Sequence, residues 1–234
     1  KFSNAINTAD FLARKGENLV TIGIKPTYAS TAYGYIQYDE NSEIDHFDAY
    51  HVKAFAEKPH SKLAKRFLSS GDFLWNAGMF FWRVSTFMDG LKKFLPELHD
   101  LLTKIAPKLD SGQSIDELWD FIEPESIDYG LMEKASNIYV VSGEFSWNDV
   151  GSWNALYKVL NPSKNGNIIK GGGEVLNGKN NLIHSNGRYT AIVGIDDLVV
   201  VNTDDATLVV PKHKVEGVKH LVELLKSKGR NELI

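Results

Sequence analysis

The sequence predicts an α/β fold, a sheet with helices packed on it, followed by a small all-β module at the carboxyl end. Three observations carry this. Over the first two thirds of the chain, strand-like apolar runs alternate with segments whose apolar residues recur at three- and four-residue spacing. Asn161 to Asn167 (NPSKNGN) is then dense in breakers. Beyond it the texture changes. Short β runs at 167–169, 174–176, 181–185, 189–195, 198–202 and 206–211 follow one another about every eight residues, separated by turns rich in Gly, Asn and Asp, as stacked quasi-repeats would. The expected division is therefore 1–162 and 163–234.

Residues 1–16 read as an amphipathic helix with Phe2, Ile6, Ala9 and Ala13 on one face, ended by Gly16. Residues 18–24 are a short buried strand closed by Lys25-Pro26. Tyr33-Gly34-Tyr35 enters the next strand. A Gly between two aromatics marks either a bulge or a place where something comes close to the backbone. Residues 41–48 are a polar turn.

The stretch from His51 to Trp82 organises the chain. In HVKAFAEKP, Val52, Ala54 and Ala56 alternate against Lys53 and Phe55, and the strand stops at Pro59, which cannot donate to a ladder. Glu57 and Lys58 are left at its carboxyl end. Ser61 is the expected N-cap of a helix carrying Leu63, Phe67 and Leu68 on one face, with Gly71 suited to the left-handed position after it. Phe73 to Trp82 is apolar on nearly every residue, as for a strand covered on both faces, and Asn76 interrupts it. An amide there needs partners, because leaving it unpaired in the interior costs roughly 1–3 kcal/mol. At strand ends of an α/β sheet, where ligands bind, Glu57 would accept sugar hydroxyls, Lys58 would offer a point charge to a phosphate and Asn76 could do either. The alternative is a solvated ion pair and a core Asn bonded to backbone.

Ser85 is placed to cap a helix with Phe87, Leu91 and Phe94, and Pro96 restarts it with Leu98, Leu101, Leu102 and Ile105. Another helical turn is expected over 116–122. Ser126 begins a helix with Ile127, Leu131 and Met132 inward, and a strand follows at 137–141. Asp128 and Glu133 read as carboxylates well placed near that helix's positive end, worth about 0.3–1 kcal/mol, rather than as catalytic groups. Asp149, between Trp147 and Trp153, is either the cap of the following helix or an oxygen ligand for a hard cation. Gly171-Gly172-Gly173 has no helix after it and reads as a turn, not a phosphate cradle. The chain closes on a basic helix with Val215, Val218, Leu221, Val222 and Leu225 on one face.

Composition bounds the function. With 234 residues and 43% hydrophobic content the chain can bury a core, and 26 basic residues dispersed among 30 acidic ones leave no nucleic-acid footprint. The absence of cysteine excludes a disulfide scaffold, a zinc ribbon and a thiol nucleophile. No apolar run reaches the length of a membrane helix and the amino end is no signal peptide, so a cytoplasmic protein is expected.

Five ordered patterns carry a resemblance: G-I-K-P-T followed by Y-G-Y-I, F-A-E-K-P, W-N-A-G-M-F, S-I-D-Y-x-x-M-E-K and W-N-D-V-G-S-W. Together with the tail DLVVVNTDDATLVVPK and VKHLVELLK, the chain resembles the sugar-1-phosphate nucleotidyltransferases, the guanylyl-transferring mannose-1-phosphate branch in particular. Tyr28 and Ala32 depart from its pattern. The resemblance implies a Rossmann-like mixed sheet and a left-handed β-helix. It implies transfer of a guanylyl group from GTP to mannose 1-phosphate, giving GDP-mannose and pyrophosphate. Gly34, Glu57 and Asn76 would hold the sugar, Lys58 its phosphate, and Asp149 would be one of two carboxylates on Mg²⁺, which makes Lys58 and Asp149 the expected catalytic pair. The Gly-rich G-x-G-x-R loop and the first metal-binding Asp of that family are not found in these residues, so a fragment, nearly inactive alone, is expected. A homodimer is expected through the apolar tail helix. The rival is a non-catalytic sugar-phosphate-binding or oligomerisation homologue.

Overall fold

The computed structural model describes residues 1–44, 47–151, 153–160 and 162–234, without the side chains at 153, 154 and 158. Asp45 and His46 of the expected turn, and Asn161 at the head of the breaker-rich stretch, lie outside the described residues. The chain forms two compact units, Lys1–Trp147 and Asn148–Ile234.

The first unit contains helix α1 (Phe2–Lys15), strands β1 (Leu19–Ile24), β2 (Tyr35–Tyr38) and β3 (Ala49–Ala56), helix α2 (Ser61–Ser70), strand β4 (Phe73–Phe81), helices α3 (Val84–Phe94), α4 (Pro96–Asp110) and α5 (Asp116–Trp119), and strand β5 (Ile138–Gly143). The strands form one mixed sheet in the order β1-β4-β2-β3-β5 that closes into a barrel. Closure follows from β5, which pairs in parallel with β1 from Leu19↔Ile138 to Ile24↔Gly143 and in antiparallel with Ala49–His51 of β3, so neither of its edges is open. Alternation along the strands sends side chains to two clusters. One, with Val20, Ile22, Tyr35 and Trp75, is covered by Ala5, Ala9, Leu12 and Ala13 of α1; the other gathers Leu19, Ile36, Leu74, Leu131 and Val140. The stripe α1 buries is rotated from the expected one, and Phe2 stays half exposed, edge-on to Phe145 at 5.0 Å.

Local details differ from expectation in three places. The α2 cap is His60, whose ring nitrogen accepts from the Leu63 N–H, and not Ser61, which is the first helical residue; Gly71 does close the helix in the left-handed region. Helix α3 starts at Val84 with no side-chain cap, so Ser85 is inside it. In β4 only Phe73, Leu74 and Trp75 are buried; the remainder is partly exposed, so the strand is not covered on both faces along its length.

The second unit has helix α6 (Trp153–Val159), strands β6 (Ile168–Lys170), β7 (Gly173–Leu176), β8 (Leu182–Ser185), β9 (Thr190–Val193), β10 (Leu198–Asn202) and β11 (Thr207–Pro211), and helix α7 (Val218–Ser227). Strands β6, β8 and β10 stack in parallel, as do β7 and β9, while β11 returns antiparallel along β10. This is the coiled stacking of a β-helix, with Ile168, Leu182 and Val199 inside, joined by Tyr157 and Leu160 from the end of α6. Two buried asparagines tie successive coils. Asn167 gives Nδ2–H to Gly178 O (2.9 Å) and takes the Asn181 N–H (2.9 Å); Asn181 repeats this with Ile195 O (2.8 Å) and the Leu198 N–H (2.9 Å). Helix α7 buries no residue fully and leaves Leu221 and Leu224 exposed. Among the described residues no helix is long and apolar enough to cross a membrane.

Candidate functional site

Three of the expected residues fall on one rung of the barrel. Tyr35 of β2 faces Ala56 of β3 on one side and Trp75 of β4 on the other, so the next rung joins Gly34 just before β2, Glu57 just after β3 and Asn76 within β4. The Asn76 N–H donates to Gly34 O at 2.8 Å, extending the ladder by that rung. Gly34 is a close approach and not a bulge. A Cβ built on it would lie 2.4 Å from Oε2 of Glu57 and 3.3 Å from Cβ of Asn76, so only Gly leaves room for that carboxylate.

The bulge lies instead at Asn76. Thr21 of β1 pairs with Phe80 and Gly23 with Asn76, so two steps along β1 answer four along β4. Gly78, with φ of 68°, takes the left-handed turn inside it. Its N–H donates to Asn76 Oδ1 at 3.1 Å, and the buried Thr21 hydroxyl donates to the same oxygen at 3.0 Å. The Asn and Gly of W-N-A-G-M-F are thus one device that swings the Asn76 side chain out of the ladder.

Glu57 is nearly enclosed, its side chain 10% exposed, and Oε1 lies 3.0 Å from Nζ of Lys58, whose own side chain is 63% exposed. The Glu57 carboxylate holds the Lys58 ammonium above the ordinary lysine range, by a direct hydrogen bond first and by charge second. Lys58 sits at φ 45°, in the left-handed region, a strain of about 1–3 kcal/mol that ends β3 and turns its ammonium back over Glu57.

Sequence reasoning placed Asp128 and Glu133 at a helix start; the structure gives them another role. Residues Asp128–Met132 form one π-turn, in which the Glu133 N–H reaches Asp128 O, five residues back, at 2.9 Å. Oδ1 of Asp128 accepts from Nδ2 of Asn76 at 3.0 Å, and Oε1 of Glu133 accepts from the Glu57 N–H at 3.3 Å. Burial raises the Asp128 carboxyl above the usual carboxylate range, while its backbone hydrogen bond, the Lys58 charge and the Asn76 amide pull it back. The signal in the sequence was the pattern S-I-D-Y-x-x-M-E-K; nothing local to it pointed 52 residues back to Asn76.

Asp149 belongs to the second unit, where its carboxylate is exposed beside an Asx turn in which Asn148 Oδ1 accepts the Val150 N–H at 2.8 Å. Helix α6 begins at Trp153, and the residue before it lies outside the described residues. Among the described residues no three His, Asp or Glu side chains gather as a metal site. A single carboxylate still fits Mg²⁺, which commonly takes one or two carboxylates and completes its shell with water and substrate phosphates.

A barrel whose rim joins a carboxylate, an ammonium and an amide to a strand-edge glycine, followed by a β-helix, defines a class. Residues 1–165 match the Nucleotidyl transferase family and residues 174–225 the MannoseP isomerase/GMP-like beta-helix domain. The chain belongs to the nucleotidyl transferase family. Among its relatives is mannose-1-phosphate guanylyltransferase 2 of Escherichia coli O157:H7, 37% identical over all of this chain and 50% of that protein. The alginate biosynthesis protein AlgA of Pseudomonas aeruginosa is 35% identical over 99% of this chain and 48% of its own length. A crystal structure described as mannose-1-phosphate geranyltransferase from Thermus thermophilus superposes with a TM-score of 0.80 at 32% identity, covering 96% of this chain and 65% of that one. The chain spans about half the length of the curated relatives it matches.

Proposed function

We propose that this chain carries the sugar-phosphate half of an enzyme that transfers a guanylyl group from GTP to mannose 1-phosphate. A phosphate oxygen of the sugar phosphate attacks the α-phosphorus of GTP, the bond to the bridging oxygen of the β-phosphate breaks, and pyrophosphate leaves. Such a reaction asks for positioning and charge neutralisation more than for covalent help. The Gly34–Glu57–Asn76 rung carries this reading. Gly34 leaves room beside it for the Glu57 carboxylate, whose oxygens are acceptors, as a sugar hydroxyl requires. Lys58 has an exposed ammonium at the same strand end for the phosphate. Asp149 would give one oxygen to Mg²⁺, which when bound would neutralise phosphate charge. The named relatives support the choice of guanylyl and mannosyl groups.

The phosphorus resonance and sugar protons of mannose 1-phosphate, observed by NMR as the chain is added, test this reading. Binding broadens or shifts the phosphorus line saturably, and Lys58→Ala weakens the effect about tenfold, as expected for loss of a charged hydrogen bond. No perturbation by the wild-type chain overturns the reading.

A further inference from the structure

The partners of Asn76 fix which way round its amide stands. Oδ1 takes the Gly78 N–H and the Thr21 hydroxyl, and Nδ2 gives one proton to Asp128 Oδ1. A backbone N–H only donates and a carboxylate only accepts, so the opposite orientation would lose both bonds. Both acceptor sites of Oδ1 are then taken, and one Nδ2 proton is left. Beside it, Glu57 offers only an acceptor.

We propose that Asp128 is a positioning residue that acts through Asn76, holding its amide so that it meets a ligand as a one-proton donor next to the Glu57 acceptor. The site then selects two neighbouring sugar oxygens, one accepting from Asn76 and one donating to Glu57. This rests on the sugar-phosphate reading above. The π-turn is what makes it possible: its extra residue brings Asp128 to Asn76 while sending Glu133 to the Glu57 backbone, so one turn steadies both polar groups of the rung. Burial raises the Asp128 carboxyl, and Lys58, the charged group facing it from the end of β3, opposes that rise together with the Asn76 amide.

The test combines a double-mutant cycle with a measurement that needs no ligand. Calorimetric titration of mannose 1-phosphate into wild type, Asp128→Ala, Asn76→Ala and the double variant reads the coupling; ¹⁵N relaxation of the Asn76 side-chain amide in the free protein reads its order. Asp128→Ala weakens binding about tenfold alone but less than about twofold when Asn76 is already Ala, and it loosens the amide. Asp128→Asn, which keeps an acceptor, stays within about threefold of wild type and keeps the amide ordered. Should Asp128→Ala fail to fold, Asp128→Ser takes its place. Additive losses in the double variant, or an amide as rigid in Asp128→Ala as in wild type, overturn the proposal. If wild type binds no mannose 1-phosphate, the sugar-phosphate reading fails, and the amide relaxation alone decides whether Asp128 positions Asn76.

Discussion

Gly34 and Glu57 touch in a way that admits no side chain: a Cβ on Gly34 would stand 2.4 Å from Oε2 of Glu57. The atom met is the far end of a flexible side chain, so Gly34→Ala folds and instead displaces the carboxylate. Affinity for mannose 1-phosphate falls at least about tenfold while the thermal midpoint moves little, a split read by calorimetry and differential scanning of the same samples.

The β4 bulge makes a contrasting prediction. Gly78 has φ of 68° and nothing within 4 Å of where its Cβ would be, so Gly78→Ala meets conformational strain and no clash. Stability falls by about 1–2 kcal/mol in urea unfolding. A change below about 0.3 kcal/mol would show that the bulge is not the conformation in solution.

Asp128 links the site to pH. Its folded-state pKa lies above the ordinary 3.8, so the folded protein holds that proton more tightly than the unfolded chain. The carboxyl therefore lowers stability progressively as pH rises from 3.8 through its raised value, and lowers it fully above that. Asp128→Asn unfolds at a higher temperature than wild type at pH 7, and the difference vanishes as pH falls below 3.8. Equal midpoints at pH 7 would contradict the burial.

In the second unit, Asn181 is fully buried and its side chain serves both Ile195 O and the Leu198 N–H. Asn181→Ala leaves two backbone groups without these partners, at roughly 1–3 kcal/mol each. Asn181→Asp keeps the acceptor but sets a buried carboxylate oxygen against the Ile195 carbonyl, and costs at least as much as Asn181→Ala. Chemical denaturation followed by circular dichroism ranks the three.

Burial pushes the Lys212 ammonium down to about 8, against the pull of Asp197. Near pH 8 about half of it is neutral, when an ordinary lysine is neutral to roughly half a per cent. A limiting amine-selective ester at pH 8 therefore acylates Lys212 several-fold faster than it does a free Nα-acetyl-lysine amide in the same tube, as mass spectrometry would show; equal rates would contradict the shift.

What the sequence disclosed and what it hid follow from range. Glu57 and Lys58 were legible because Pro59 fixes the strand end locally, and the six β runs after residue 166 because alternation and turn residues repeat within each coil. The closed barrel was hidden: it depends on β5 finding β3, some 90 residues earlier, which no local pattern encodes. Asn76 was recognised as an interruption, yet its bulge needs Gly78 and a partner on β1. Asp128 reads from the sequence as a carboxylate near a turn's amino end, and its hydrogen bond to Asn76, 52 residues back, has no local pattern to encode it. The asparagines at 167 and 181 open expected β runs, and their part in tying the coils together shows only once successive coils are stacked.

The central claim is that the rung binds a phosphorylated hexose through Glu57. Titration calorimetry of mannose 1-phosphate into the wild-type chain and into Glu57→Ala tests it most directly. The account predicts saturable binding by wild type and an affinity lowered about tenfold or more by the substitution, with folding intact. Equal affinity in the two proteins would contradict it.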